Sequence, residues 1–148
     1  MKVKVGGFDD LNTGDALGKV AFSIFFQGCR RRCPGCHNPE LQPFEGGREI
    51  DAQEIIDRIW RNRDWYEAVV FVGGEPLEQP KALEHLLKFI RGTNIEAWLY
   101  TGYSPGEIPE PIAALCDVIV AGEYRDDLKT GGFPASSNQV IIRKERPN

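Results

Sequence analysis

Three of the four cysteines in this chain fall in one short stretch, Cys29-Arg30-Arg31-Arg32-Cys33-Pro34-Gly35-Cys36-His37. Thiolates at Cys-x3-Cys-x2-Cys spacing are soft donors, suited to zinc or to an iron–sulfur cluster. The count matters: a closed structural zinc site takes four protein ligands, whereas a site with one position left open is built to do chemistry. Gly35 lets backbone approach a ligand closely, and Pro34 fixes the turn. Arg30, Arg31 and Arg32 sit beside the thiolates, where they either offset negative charge or form a solvated basic loop. On spacing alone zinc stays open, because His37, His85 or Cys116 could complete a four-ligand set. Adjacent Cys36 and His37 would be awkward joint ligands of one tetrahedral ion.

A second stretch with chemical potential is Gly73-Gly74-Glu75-Pro76. Its two glycines expose backbone carbonyls and amides to anything lying against them. Such carbonyls can accept from an ammonium group, and Glu75 can either hold the turn or meet the same charge. Taken alone, the stretch is a weak signal and more often a plain turn.

Both stretches follow short apolar runs that read as buried strands, Val20 to Phe26 and Ala68 to Val72. Asp51 opens a helix, with Glu54 three residues on and Ile55, Ile56, Ile59 and Trp60 on one face. Pro80 opens a second helix lined by Leu83, Leu86, Leu87 and Ile90, and Gly92 follows its end. Ile95 to Tyr100 is a third strand closed by Thr101-Gly102. Pro111 to Leu115 is a short helix, Val118 to Ala121 a fourth strand closed by Gly122, and Val140 to Ile142 a last short strand. Val3 and Val5 suggest an edge strand, with Gly6 to Gly18 as loop. The alternation of strand and helix predicts an α/β fold with a mostly parallel sheet and crossover helices. The distinctive loops all follow strands, so they converge on one face of the sheet. The length permits only a partial, open (β/α) barrel, read as a single domain over 1–148.

Composition narrows the class. A net charge of −4 and a pI near 5.2 argue against a general nucleic-acid binder. No apolar run reaches membrane-span length, and the N-terminus carries no signal-peptide core. Clustered thiols without an export signal suggest a reducing cytoplasm. Cys116, at a helix end, reads as a buried structural thiol, and His85 as a surface helix residue. Trp60, Trp65 and Trp98 read as core or rim aromatics.

The Cys-x3-Cys-x2-Cys loop after one strand and Gly-Gly-Glu-Pro after the next resemble the radical S-adenosylmethionine superfamily. The likeness runs from about Val20 to Ile142. It implies a [4Fe–4S] cluster on Cys29, Cys33 and Cys36, with the fourth iron free for the amine and carboxylate of S-adenosylmethionine. It implies that Gly35, Cys36 and His37 pass close to the nucleoside, and that Gly73, Gly74 and Glu75 meet the methionyl amine. Thr101 is then a contact for the carboxylate or ribose, and Gly122 and Glu123 line the same pocket. Tyr100 and Tyr103 flank a ligand-facing turn and serve either packing or adenine contact.

Within the superfamily, Cys33 through Glu40, the small size, Asp127-Leu128-Lys129 and Ser136-Ser137-Asn138-Gln139 resemble anaerobic ribonucleoside-triphosphate reductase-activating proteins. Two features depart from that pattern. Asp15-Ala16-Leu17-Gly18 stands where those proteins carry Asp-Gly-Pro-Gly, and Phe133 lies near the place of their tryptophan. The resemblance implies reductive cleavage of S-adenosylmethionine to a 5′-deoxyadenosyl radical, which makes a glycyl radical on a partner enzyme. The implied partners are that glycyl-radical enzyme, most directly anaerobic ribonucleotide reductase, and an electron donor such as flavodoxin or ferredoxin. Other readings are an activase like that of pyruvate formate-lyase, a small-molecule enzyme such as 7-carboxy-7-deazaguanine synthase, or a zinc-stabilised binding module without catalysis.

Overall fold

The computed structural model describes residues 1–146. Seven strands form one open sheet: β1 (Lys2–Asn12), β2 (Ala21–Phe26), β3 (Arg48–Asp51), β4 (Ala68–Gly73), β5 (Glu96–Thr101), β6 (Val118–Ala121) and β7 (Val140–Arg143). Their spatial order is β3-β1-β2-β4-β5-β6-β7. The run β2-β4-β5-β6 is parallel, while β1, β3 and β7 pair antiparallel to their neighbours. The expected parallel core is therefore present, and the sheet does not close into a barrel.

Helices α1 (Ala52–Arg61), α2 (Pro80–Arg91) and α3 (Glu110–Ala113) cross between the parallel strands. α1 starts where its capping side chain predicts: the Asp51 carboxylate accepts from the Gln53 N–H. Ile55 and Ile59 are buried, but Trp60, on the same expected stripe, is half exposed, with Phe89 at its edge and the Arg63 guanidinium over its ring. α2 buries Leu83, Leu86, Leu87 and Ile90 against Phe26, Phe71 and Leu99 of the sheet. The opposite face carries a smaller cluster, Ala16, Ala21, Ala68, Val70, Trp98 and Val118, with Phe133 packed on Trp98 and Tyr100. Apart from Trp98, no buried side chain in this cluster is larger than valine. Cys116 is fully buried and its thiol donates to the Ile112 carbonyl, as a small hydrophobe with a weak donor would. His85 is exposed on α2, Trp98 lies in the core, and Trp65 is 65% exposed.

Two expectations need correction. Val3 and Val5 belong to an interior strand, because β3 covers the outer side of β1. The strand also continues to Asn12, where Gly6 to Gly18 reads as loop. Gly6, Gly7 and the Asp9-Asp10 pair have poor strand preference, yet pairing with β2 imposes the extended form, with register shifts between Val5 and Gly7 and between Asp9 and Asn12. β3, at Arg48–Asp51, lies just before the expected helix start, where the sequence reading assigns no element. Its charged residues hide the pattern, because only Ile50 is buried. Among the described residues no helix is long and apolar enough to cross a membrane.

Candidate active site

The C-terminal ends of β2, β4, β5 and β6 meet at one rim, and a cleft of about 440 Å³ opens there. Phe25, Val72 and Tyr100, the last residues of their strands on the Trp98 face of the sheet, form its floor. Cys29, Cys33, Cys36 and His37 line one wall, and Gly73, Gly74, Glu75 and Thr101 line another. Gly122 also borders the cleft. The sequence-selected loops thus come together, while Gly35 is exposed and does not line the cleft.

The cysteine loop is fixed at its base by backbone. Gly28 N–H donates to Leu41 O at 2.7 Å and Cys29 N–H to Gln42 O at 3.0 Å. Buried Gln27 donates to the Pro43 and Glu40 carbonyls and so holds the returning chain. Gln79 donates to the carbonyls of Lys4 and Gln27, tying the next loop to the same corner. Burial pushes the Cys29 and Cys33 thiols above their ordinary value, Cys33 to about 11, with the Glu123 carboxylate adding to the rise at Cys33. Among the described residues no three His, Cys, Asp or Glu side chains converge as ligands of a single metal ion. Three thiols along one wall of an open cleft are soft donors of the kind that hold an iron–sulfur cluster.

The glycine-rich loop packs as closely as its composition allows. Gly73 has φ +119°, and a Cβ there would stand 2.4 Å from the Phe26 backbone nitrogen. A Cβ on Gly74 would stand 2.6 Å from Gly28 O and 2.7 Å from Leu41 O. Gly74 N–H donates to Phe26 O and Glu75 N–H to Gly28 O, at 2.8 and 2.9 Å. The glycines therefore let this loop lie directly on the base of the cysteine loop, which gives them a packing reason beyond ligand access.

Glu75 is 2% exposed. Its Oε1 accepts from Gly102 N–H at 2.7 Å, and its Oε2 from Leu77 N–H at 3.0 Å and the Thr101 hydroxyl at 2.8 Å. Burial raises its carboxyl above the usual range, against the lowering effect of these donors. Of the two roles open in the sequence, the structure displays the turn-holding one, extended to the neighbouring loop. The Thr101 hydroxyl is committed likewise: it donates to Glu75 and accepts from Tyr103 N–H.

The arginine triplet is not a uniform solvated loop. Arg30 pairs with Glu78, Arg31 pairs with Glu123 and stacks on Tyr103, and Arg32 donates to the Cys29 and Arg31 carbonyls. Gly35 has φ +74°, and a Cβ would stand 2.6 Å from Asp126 Oδ1. Asp126 accepts from the Tyr124 hydroxyl, and the Tyr124 ring lies 4.8 Å from the His37 ring. His37 is thus exposed, with the Tyr124 ring as its aromatic partner. The Ser136–Gln139 stretch bridges back to the β6 loop: Gln139 donates to Gly122 O and Asn138 to Glu123 O.

Several cleft residues lie outside the sequence selection. Asp15 borders the cleft, and its Oδ2 accepts from buried Ser23 at 2.7 Å. Tyr100 donates to the Asp15 carbonyl at 2.6 Å, which ties its hydroxyl into the structure. Tyr124 and Gln139 border it too. Tyr124 had a signal, since it directly follows Gly122-Glu123 after a strand, and Asp15 heads the stretch that stands in place of Asp-Gly-Pro-Gly; Gln42 had none, because only folding brings it to the rim.

Residues 15–142 match a family described as a 4Fe-4S single cluster domain. Over 109 residues the chain is 34% identical to the pyruvate formate-lyase-activating enzyme of Clostridium pasteurianum, a match covering 70% of this chain and 46% of that enzyme. Over 135 residues it is 30% identical to the anaerobic ribonucleoside-triphosphate reductase-activating protein of Escherichia coli (strain K12), covering 80% of this chain and 85% of that protein. Its fold is similar to that in the crystal structure of QueE from Escherichia coli, with a TM-score of 0.53 over 82% of this chain and 70% of that one, at 14% identity. The choice left open by thiol spacing falls to iron–sulfur over zinc, and to an enzyme over a binding module. The chain belongs to the 4Fe-4S single cluster domain family of radical S-adenosylmethionine enzymes, among the glycyl-radical activating enzymes.

Proposed function

We propose that this chain activates an anaerobic ribonucleoside-triphosphate reductase by generating a glycyl radical on it. The observation that carries the reading is the gathering of Cys29, Cys33 and Cys36 with Gly73, Gly74 and Glu75 around one open cleft. The match to 85% of the length of the reductase-activating protein favours this partner over pyruvate formate-lyase, whose activating enzyme is matched over 46% of its length.

Cys29, Cys33 and Cys36 would hold the cluster, and the Gly73-Gly74-Glu75 loop would receive the methionyl amine through its carbonyls. Gly35, Cys36 and His37 would border the nucleoside, and Thr101 would orient the loop facing it. Held there, a cluster reduced by an external donor would supply one electron to the sulfonium of S-adenosylmethionine, chemistry that splits its C–S bond into methionine and a 5′-deoxyadenosyl radical able to take a hydrogen atom from a glycine Cα. Phe25, Val72 and Tyr100 give the cleft an apolar floor that limits water near that chemistry. The unclosed sheet leaves one side of the cleft free for a peptide loop of another protein, which an enzyme of small molecules would need to cover.

The test is anaerobic incubation with S-adenosylmethionine, a reductant or a flavodoxin or ferredoxin donor, and either the reductase or pyruvate formate-lyase. A glycyl radical detected by electron paramagnetic resonance on the reductase alone supports the proposal. A radical only on pyruvate formate-lyase, or cleavage of S-adenosylmethionine with no radical on either protein, overturns it.

A further inference from the structure

We propose that Tyr124 is the aromatic platform for the adenine ring of S-adenosylmethionine, and that Asp126 is the positioning residue that holds it there. This rests on the cleft being the S-adenosylmethionine site of the proposed function. It adds a binding residue from outside the cysteine and glycine-rich loops.

Tyr124 follows β6 and borders the cleft beside His37. The centres of the two rings are 4.8 Å apart and their planes are tilted by 47°, so they make an aromatic corner at the end of the cysteine loop. The Tyr124 hydroxyl donates to Asp126 Oδ1 at 2.9 Å. Asp126 in turn fills the space that a side chain at position 35 would need, since a Cβ on Gly35 would stand 2.6 Å from the same Oδ1. The bare glycine thus leaves room for the acid that fixes the tyrosine.

The loop is also fastened from behind. Arg125 N–H donates at 3.2 Å to the hydroxyl oxygen of Ser136, which is fully buried. Ser137 N–H donates to Leu128 O at 2.9 Å, and the Gln139 amide to Gly122 O at 3.2 Å. The Ser-Ser-Asn-Gln stretch therefore acts as a buckle that sets the path of the Tyr124 loop along the cleft wall.

The other rings of the cleft are placed differently. Phe25 and Tyr100 form the floor, and Tyr100 is committed to the Asp15 carbonyl and to Phe133. A planar base is received by a flat π face without a set of polar partners, and a ring already immobilised loses little freedom on stacking. Tyr124 offers such a face next to the Gly35–His37 segment that would border the nucleoside.

The test is isothermal titration calorimetry of S-adenosylmethionine, without reductant, into anaerobically reconstituted wild type and variants matched in iron, sulfide and thermal midpoint. We expect Tyr124→Leu, which keeps an apolar side chain but no π face, to weaken binding by roughly 5- to 150-fold, the range for one base stacked on an aromatic ring, and Tyr124→Phe to retain most of the affinity. Asp126→Ala should weaken binding less than Tyr124→Leu and should add nothing in the Tyr124→Phe background, where there is no hydroxyl to hold. Asp126→Asn, still an acceptor, should bind like wild type. Asp126 is exposed, so its variants keep the inference open to refutation should Tyr124→Leu load less iron. Wild-type affinity in Tyr124→Leu, or an Asp126→Ala loss undiminished in the Tyr124→Phe background, overturns the inference while leaving the proposed function standing. A wild-type protein with full clusters that binds no S-adenosylmethionine overturns both.

Discussion

Replacing Glu75 by Gln tests what the glycine-rich loop is for. The buried carboxylate accepts three hydrogen bonds, from Leu77 N–H, the Thr101 hydroxyl and Gly102 N–H. An amide has one acceptor oxygen. In its best orientation that oxygen keeps Leu77 and Thr101, and the NH2 group then faces the Gly102 N–H. One backbone donor is left unsatisfied in a site 2% exposed, at a cost of about 1–3 kcal/mol. With a urea m-value of about 2 kcal/mol per molar, the unfolding midpoint falls by roughly 1 M. Glu75→Ala leaves all three donors without their partner and should fall further. Urea unfolding followed by circular dichroism gives the stability, and equilibrium dialysis of S-adenosylmethionine against the reconstituted protein gives binding. A Gln variant within about 0.5 kcal/mol of wild type would refute the role of Glu75 as the bridge between the β4 and β5 loops. Unchanged stability with lost binding would instead assign the carboxylate to the ligand itself.

Gly74→Ala pushes a methyl group against the Gly28 and Leu41 carbonyls, both of them backbone; we expect about 1–3 kcal/mol of lost stability and a lower iron content after reconstitution. Leu17 is 54% exposed at φ +50°, so Leu17→Gly should raise the thermal midpoint by a few degrees, a gain of about 1 kcal/mol, whereas Leu17→Pro cannot adopt that angle and should lower it. Burial tends to raise the Asp117 carboxyl, but Arg146 and the Ala97 N–H outweigh it and hold the group below the usual carboxylate range. The stabilisation is then full above the unfolded value of about 3.9 and is lost as pH falls through the lower folded value. Arg146→Ala should cost about 2 kcal/mol at pH 7 in urea unfolding and flatten the acid limb of the stability profile; an unchanged acid limb would show that the pair contributes nothing.

The parallel core was legible because β2, β4, β5 and β6 are buried on both faces and read as short apolar runs between turn residues. The far end of β1 and all of β3 were not, because partner strands impose their extended form on glycines and charges. The thiols and the glycine-rich loop declared themselves by residue type. Their mutual support did not: the carbonyls of Gly28 and Leu41 that exclude a side chain at Gly74 leave no mark in sequence. Leu17 shows the converse. Its positive φ cannot be met by proline, so the Asp-Ala-Leu-Gly stretch takes a backbone path that an Asp-Gly-Pro-Gly stretch would not share. Nor does sequence disclose that the three neighbouring arginines have three different partners.

Everything proposed for the cleft depends on a cluster held by three thiolates with one iron open to substrate. The most direct measurement is the electron paramagnetic resonance spectrum of the reduced, reconstituted protein, recorded with and without S-adenosylmethionine. We expect a [4Fe–4S] signal whose shape changes on addition of S-adenosylmethionine and which is lost in Cys29→Ala. A spectrum indifferent to S-adenosylmethionine, or one that survives loss of Cys29 unaltered, would contradict the account.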